Sequence, residues 1–237
     1  MLRRLWVLLA AVVLVATAAT ATTAYAAKIT LTSKSLFGVK SAANALPQQL
    51  VYDPFNSTTT AVSLGTPHLA STGQPWVVLQ GALQMRNGYL QCTTGCATAN
   101  YGAALIDADM ARVTATVDVR SATGSGAAGL ILNANQIATQ AYAVWYDGGF
   151  VTLLRYDSGN VTYAPVRTVA VPPNNTDVPL SAVFNGTSYT VSFNSIVVMT
   201  YALPALDVPI FAGNTYFGVV IYDDPNIVKM DDFEVKQ

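Results

Sequence analysis

The sequence predicts an all-β domain in which two antiparallel sheets stack as a sandwich. Three observations lead there. Apolar and polar residues alternate with period two, most cleanly over 112–119, where Val113, Ala115, Val117 and Val119 would share one face and Thr114, Thr116 and Asp118 the other. Turn-forming pairs punctuate the runs, with Asn87-Gly88, Asp147-Gly148-Gly149 and Asn185-Gly186 each joining two apolar stretches. No segment sustains a 3.6-residue apolar period, and the chain holds a single glutamate, Glu234. Strands of this kind are stable only when they pair and bury a face against a second sheet.

Taken in order, residues 1–26 have the form of a secretory signal peptide. Arg3 and Arg4 precede an apolar stretch from Leu5 to Val15, and Ala24-Tyr25-Ala26 supplies the small residues a signal peptidase requires. The protein is therefore expected outside the cell or at its surface, with no membrane segment after cleavage. Residues 27–49 form an N-terminal extension. Its stretch 28–36 alternates like a strand, and Pro47, Gln48 and Gln49 mark its end. The domain proper occupies 50–237. Strands are predicted over 51–55, 76–79, 83–85, 89–92, 112–119, 129–132, 141–146, 150–156, 161–171, 179–184, 188–193, 196–201, 216–222 and 227–235.

Composition excludes several classes. With 52% hydrophobic and 11% charged residues the chain is too apolar for disorder. Loss of Arg3 and Arg4 would leave 10 basic against 13 acidic side chains, out of 12 and 13 in the whole chain. No basic stripe exists to displace counterions from a nucleic acid. Cys92 and Cys96 are the only cysteines and are expected to form a disulfide that pins a local turn. A zinc site would need further soft ligands, and His68 is the only histidine.

Two parts of the chain carry a resemblance. The opening reads Asp53-Pro54-Phe55, Ser63-Leu64-Gly65 and Thr72-Gly73-Gln74-Pro75-Trp76; the ending reads Tyr216-Phe217-Gly218-Val219-Val220 and Met230-Asp231-Asp232-Phe233-Glu234-Val235. Over residues 50–237 this resembles the concanavalin A-like lectin/glucanase superfamily, in particular its laminin-G-like modules. The resemblance implies a jelly-roll sandwich whose first and last strands pair. It implies no single function, because the fold hosts lectins, glycosidases and adhesion domains.

The chemistry readable from the residues points away from catalysis. Glycosidases of this superfamily carry paired carboxylates on one strand; this chain offers one glutamate, and Asp107 and Asp109 fall where a strand ends. His68 lies in Gly65-Thr66-Pro67-His68, without a nucleophile elbow, and Gly124-Ser125-Gly126 lacks the lysine of a phosphate loop. Structural calcium is the expected cofactor. Asp53 on the first strand would meet Asp231 and Asp232 on the last, with a bulge needed for the latter two to share a face. Aromatic residues at 142–163 suggest a sugar-binding surface: Trp145, Tyr146, Arg155 and Tyr163 are the candidate contacts, with Tyr142 sharing the face of Tyr146 and opposing that of Trp145. The expected function is a secreted, non-catalytic module that binds carbohydrate or adheres to a surface polysaccharide. The alternatives are a self-assembling surface, appendage or virion protein and a glycoside hydrolase.

Overall fold

The computed structural model describes residues 47–57, 60–65, 68–92, 101–121, 126–157, 164–222 and 228–237. The expected signal peptide and the stretch 28–36 lie outside these residues, as do Cys96 and Tyr163. Sixteen strands, numbered in chain order, make two antiparallel sheets among the described residues. The larger sheet runs β14 (Ile196–Ala202), β13 (Ser188–Phe193), β12 (Val178–Phe184), β7 (Thr114–Arg120), β16 (Lys229–Lys236), β5 (Tyr89–Cys92), β4 (Leu83–Arg86), β2 (Val62–Ser63), with β1 (Gln49–Asp53) also paired to β16. The smaller sheet runs β11 (Ala164–Ala170), β10 (Phe150–Asp157), β9 (Gln140–Tyr146), β8 (Ala127–Ala134), β15 (Tyr216–Tyr222), β6 (Tyr101–Asp107), β3 (Val77–Gln80).

The turn chemistry holds where it is strongest. Asn87 and Gly88 both adopt positive φ (54° and 78°), the geometry a two-residue hairpin needs, and they join β4 to β5. Strands β13 and β15 match their sequence-predicted bounds. Of the strand read over 161–171, residues 161–163 lie outside the described residues and the rest holds β11, whose Pro165 is tolerated because β11 ends its sheet and pairs only with β10. Other elements depart from the sequence reading. Strand β6 is a full element between β3 and β15. Its end at Asp107 agrees with the strand end read there in the sequence, while its alanine-rich body is weak in strand propensity and is held by packing rather than β-branching. The one helix among the described residues, α1 (Val208–Phe211), is a single turn.

The implied pairing of first and last strands is present. Val51 faces Val235 and Asp53 faces Phe233 across β1 and β16. Val51, Phe233 and Val235 are fully buried between the sheets, where Trp76 packs on Phe55 (5.9 Å) and on Phe233 (5.1 Å). Burial of one such side chain stabilises the fold by roughly 1.5–3 kcal/mol. At the other end of the interior Tyr142 meets Phe211 of α1 at 4.8 Å and Tyr189 at 5.2 Å. Strand β8 is buried along its whole length, so both of its faces are covered. One face belongs to the inter-sheet core. The other belongs to a second apolar cluster of Ala103, Leu105, Ile131, Ala134, Ala141 and Val220 on the outward side of the smaller sheet.

Candidate functional site

That second cluster builds a trough. Strand register sets it out in rows: Ala103 of β6 faces Val220 of β15, which faces Gly129 of β8, which faces Trp145 of β9. In the next row Ile131 faces Ala143, and in the one beyond it Ala141 faces Tyr156 of β10. Ala103, Ile131, Ala141, Ala143 and Val220 line the floor of a cavity of about 220 Å³. Leu79, Gln80 and Tyr101 line it from β3 and β6, Tyr156 from β10, and Ile137 and Ala138 from the turn between β8 and β9. The volume falls below the roughly 300–1,000 Å³ of sites that engulf a small molecule. It suits a ligand that lies across the sheet with its ends in water.

Aromatic rings border the trough. Tyr222 faces Tyr101 across β15 and β6, and the Trp145 ring lies 6.0 Å from that of Tyr222 at an interplanar angle of 34°. Burial raises the ionisation of the Tyr156 hydroxyl above the ordinary tyrosine range, and Tyr101 and Asp157 push it the same way. At neutral pH Tyr156 is therefore a phenol that can both donate and accept a hydrogen bond. No charged residue lines the cavity.

Of the four candidate contacts, Trp145 stands on this outward face, half-buried beside the trough. Tyr146 and Arg155 do not join it. Tyr146 points into the sandwich, packs with its ring tilted 36° to that of Phe193 at 4.5 Å, and its hydroxyl accepts the Asn174 N–H at 2.8 Å. Arg155 is the cross-strand partner of buried Tyr142, and its guanidinium donates to Asp207 from Nε (2.9 Å) and Nη2 (3.1 Å). Alternation along β9 separates Tyr142 and Tyr146 from Trp145 as the sequence predicts. Tyr156, Tyr101 and Tyr222 complete the aromatic border. Of these, Tyr156 could be found by extending the same alternation to β10, whereas Tyr101 and Tyr222 are joined only by the strand order.

The three carboxylates expected to hold calcium do not meet. Asp53 faces inward and is 1% exposed; its Oδ2 accepts Trp76 Nε1 and pairs with His68 Nε2, both at 2.7 Å, and its Oδ1 accepts the Phe55 N–H. Asp231 and Asp232 lie on the outward side of the larger sheet. The required bulge is there: β16 has one extra residue against β7 between Asp231 and Glu234, with Asp232 at φ 47°. Tyr52 donates its hydroxyl to Asp232 Oδ1 at 2.8 Å. Among the described residues no group of three His, Cys, Asp or Glu is placed to hold a metal ion. Cys92 is buried at the end of β5, and the bridge expected from it ends on Cys96, outside the described residues.

Asp118 and Asp231 are direct cross-strand partners on β7 and β16, a pairing of like charge. Burial, with Asp232, Asp177 and Asp118 adding to it against an opposing bond from the Asp232 N–H, pushes Asp231 up to about 6. A carboxyl whose folded value exceeds its unfolded one weighs against the fold as pH rises from about 4 to about 6, and fully above that. Asp231→Asn is expected to stabilise the domain at pH 7 by about 1 kcal/mol, a figure reduced for solvent screening, and to have little effect at pH 4. Urea midpoints at the two pH values check this.

Two stacked antiparallel sheets with paired first and last strands and a ligand-sized trough on the smaller sheet define a jelly roll of the concanavalin A-like fold. Solved structures of carbohydrate-active proteins share it. One is an endo-acting O-glycanase of the kind expressed by prominent members of the human gut microbiota to initiate mucin breakdown (TM-score 0.53, 11% identity, 80% of this chain and 99% of that one). Another is the catalytic domain of an endo-1,3-β-glucanase, a laminarinase, from Thermotoga petrophila (TM-score 0.52, 10% identity, 81% and 98%). A third is the endo-β-1,3-glucanase of Pyrococcus furiosus (TM-score 0.52, 7% identity, 81% and 94%). At these identities the likeness is one of fold. No protein-family model matches the chain, and no curated protein matches it.

Proposed function

We propose that the protein is a secreted, non-catalytic module of the laminin-G-like kind that binds a carbohydrate chain along the trough of its smaller sheet. The observation that carries this reading is the trough's make-up: an apolar floor bordered by Tyr101, Tyr156, Trp145 and Tyr222, with no carboxylate in its lining. Aromatic rings offer a flat apolar surface to the C–H face of a sugar, and phenol and amide groups at the walls hold its hydroxyls. Glycosidic hydrolysis needs two carboxyl groups flanking the bond. The chain's one glutamate, Glu234, is on β16 in the other sheet, where it accepts from Gln49 and pairs with Lys236. Glycan-active proteins of the same fold make a sugar ligand the natural class to test.

The test is a glycan array followed by calorimetric titration of the best ligand with the full chain. Tyr156→Ala and Trp145→Ala are each expected to weaken binding about tenfold, or roughly 1.4 kcal/mol, without changing the circular dichroism spectrum. New reducing ends released from any bound polysaccharide would overturn the non-catalytic part. Absence of binding across the array, or affinity unchanged in both variants, would overturn the site.

A further inference from the structure

The geometry points to the kind of sugar the trough takes, an inference that rests on the glycan-binding reading above. We infer that the trough selects an uncharged chain bearing a methyl-ended substituent, either an acyl group or a 6-deoxy carbon, seated on the aliphatic floor against Ile137.

The floor decides the first half. Ala103, Ile131, Ala141, Ala143 and Val220 present only hydrocarbon. A sugar hydroxyl pressed onto that floor would lose its water and find no partner, a loss on the order of tenfold in affinity for each such group. A methyl group in the same place gains from burial instead. The side-chain polar groups of the lining sit at the walls, on Gln80, Tyr101 and Tyr156, where they reach hydroxyls at the edges of a sugar whose substituent points down. No cation lines the cavity, so a carboxylated or sulfated sugar would enter without a counter-charge.

The lip decides the second half. Ile137 is 71% exposed at the edge of the cavity it lines, and its turn is braced. Asn135 Oδ1 accepts the Thr139 N–H at 2.8 Å, Asn135 Nδ2 donates to Thr139 Oγ1 at 2.6 Å, and the Ala138 N–H donates to the Asn135 carbonyl at 2.9 Å. Ala138 is held at φ 50°, a conformation that an alanine adopts only when its surroundings impose it. A braced turn that holds isoleucine in water beside an apolar floor gives a methyl-ended group contact from both sides. The cavity, about 220 Å³, limits the recognised unit to one substituted sugar of a longer chain.

Matched ligand pairs test this with the full chain in calorimetric titrations. Chitotetraose and cellotetraose share a β-1,4 backbone and differ in the acetamido group; α-L-fucosyl and α-L-galactosyl conjugates of one scaffold differ in the 6-deoxy carbon. In one pair or the other, the methyl-bearing member is expected to bind about tenfold tighter than its partner. Which pair shows the ratio tells acyl from deoxy. Ile137→Ser, a change at an exposed side chain, is expected to lower that member's affinity about fivefold and its partner's by much less, so that the ratio between them falls. Equal affinities within both pairs, or an Ile137→Ser variant that keeps the ratio, would overturn the inference while the glycan reading stands. Failure of every array ligand to bind would take down both.

Discussion

Gly129→Ala is expected to destabilise the domain by about 4 kcal/mol. A Cβ on Gly129 would lie 1.9 Å from the Val144 carbonyl oxygen and 2.5 Å from Trp145 Cα. Both are backbone atoms of β9, so no side chain can swing aside, and β8 would have to part from its partner along a ladder running from Ala128 to Leu132. Overpacking of this sort usually costs 1–3 kcal/mol when side chains can yield, and more when backbone must move. Gly218 on β15 stands in the same relation to the Ala104 carbonyl, whose oxygen would lie 2.0 Å from an added Cβ, and its alanine variant is expected to behave alike. Gly213→Ala is the control. Nothing lies within 4 Å of its Cβ, and its stability should stay within about 0.5 kcal/mol of wild type. Guanidinium unfolding followed by tryptophan fluorescence measures all three. A Gly129→Ala midpoint close to that of Gly213→Ala would show that β8 and β9 are not held in this contact.

Asp207→Ala is expected to cost about 3 kcal/mol. Asp207 occupies the residue before α1, yet its carboxylate makes no capping bond there. It accepts instead from Tyr142 Oη at 2.6 Å and from two Arg155 nitrogens, at 6% exposure. Removal leaves the part-buried Arg155 guanidinium with only its longer contact to Asp157 (3.4 Å) and takes the Asp207 acceptor from the buried Tyr142 phenol, the circumstance in which breaking an ion pair is expensive. Tyr142→Phe deletes only one hydroxyl and is expected to cost about 1 kcal/mol.

The pH response distinguishes an ionic from a merely steric role for Asp207. Burial alone would raise its ionisation, but the bonds from Arg155 and Tyr142 and the Arg155 charge together outweigh it and hold the carboxyl below the ordinary aspartate range. A carboxyl held lower in the folded state stabilises the fold above its unfolded value, and that stability drains away as pH falls through the folded one. Asp207→Asn should therefore unfold more readily than wild type at neutral pH and lose less on acidification below pH 4. Parallel slopes for the two proteins in that range would show that Asp207 is not charged in the folded state.

Most of the sandwich is legible in the residues because its signals are local. Alternation over 112–119 and the pairs Asn87-Gly88 and Asn185-Gly186 need only their neighbours to be read. The opening and closing motifs also place β1 beside β16. The site is less legible, for a physical reason. Its floor is built of alanine, valine and isoleucine, whose types announce burial and nothing else, and they become a floor only when β6, β8, β9 and β15 lie side by side. Tyr146 and Arg155 carry the residue types of a sugar site, but alternation turns them inward, where Asn174 and Asp207 engage them. Strand adjacency groups Asp53 with Asp231 and Asp232, but adjacency fixes only which strands touch: Asp53 is the cross-strand partner of Phe233 and shares its inward face, while Asp231 and Asp232 face outward.

The pairing of β1 with β16 also governs how the domain can be joined to other chains. The Gln237 N–H donates to the Gln48 carbonyl at 2.9 Å, so the strands that open and close the sandwich leave it side by side. A guest with neighbouring entry and exit points can be spliced into an exposed loop of a host polypeptide without prising that loop apart. Both of these strands belong to the larger sheet, whereas the trough is built on the smaller one.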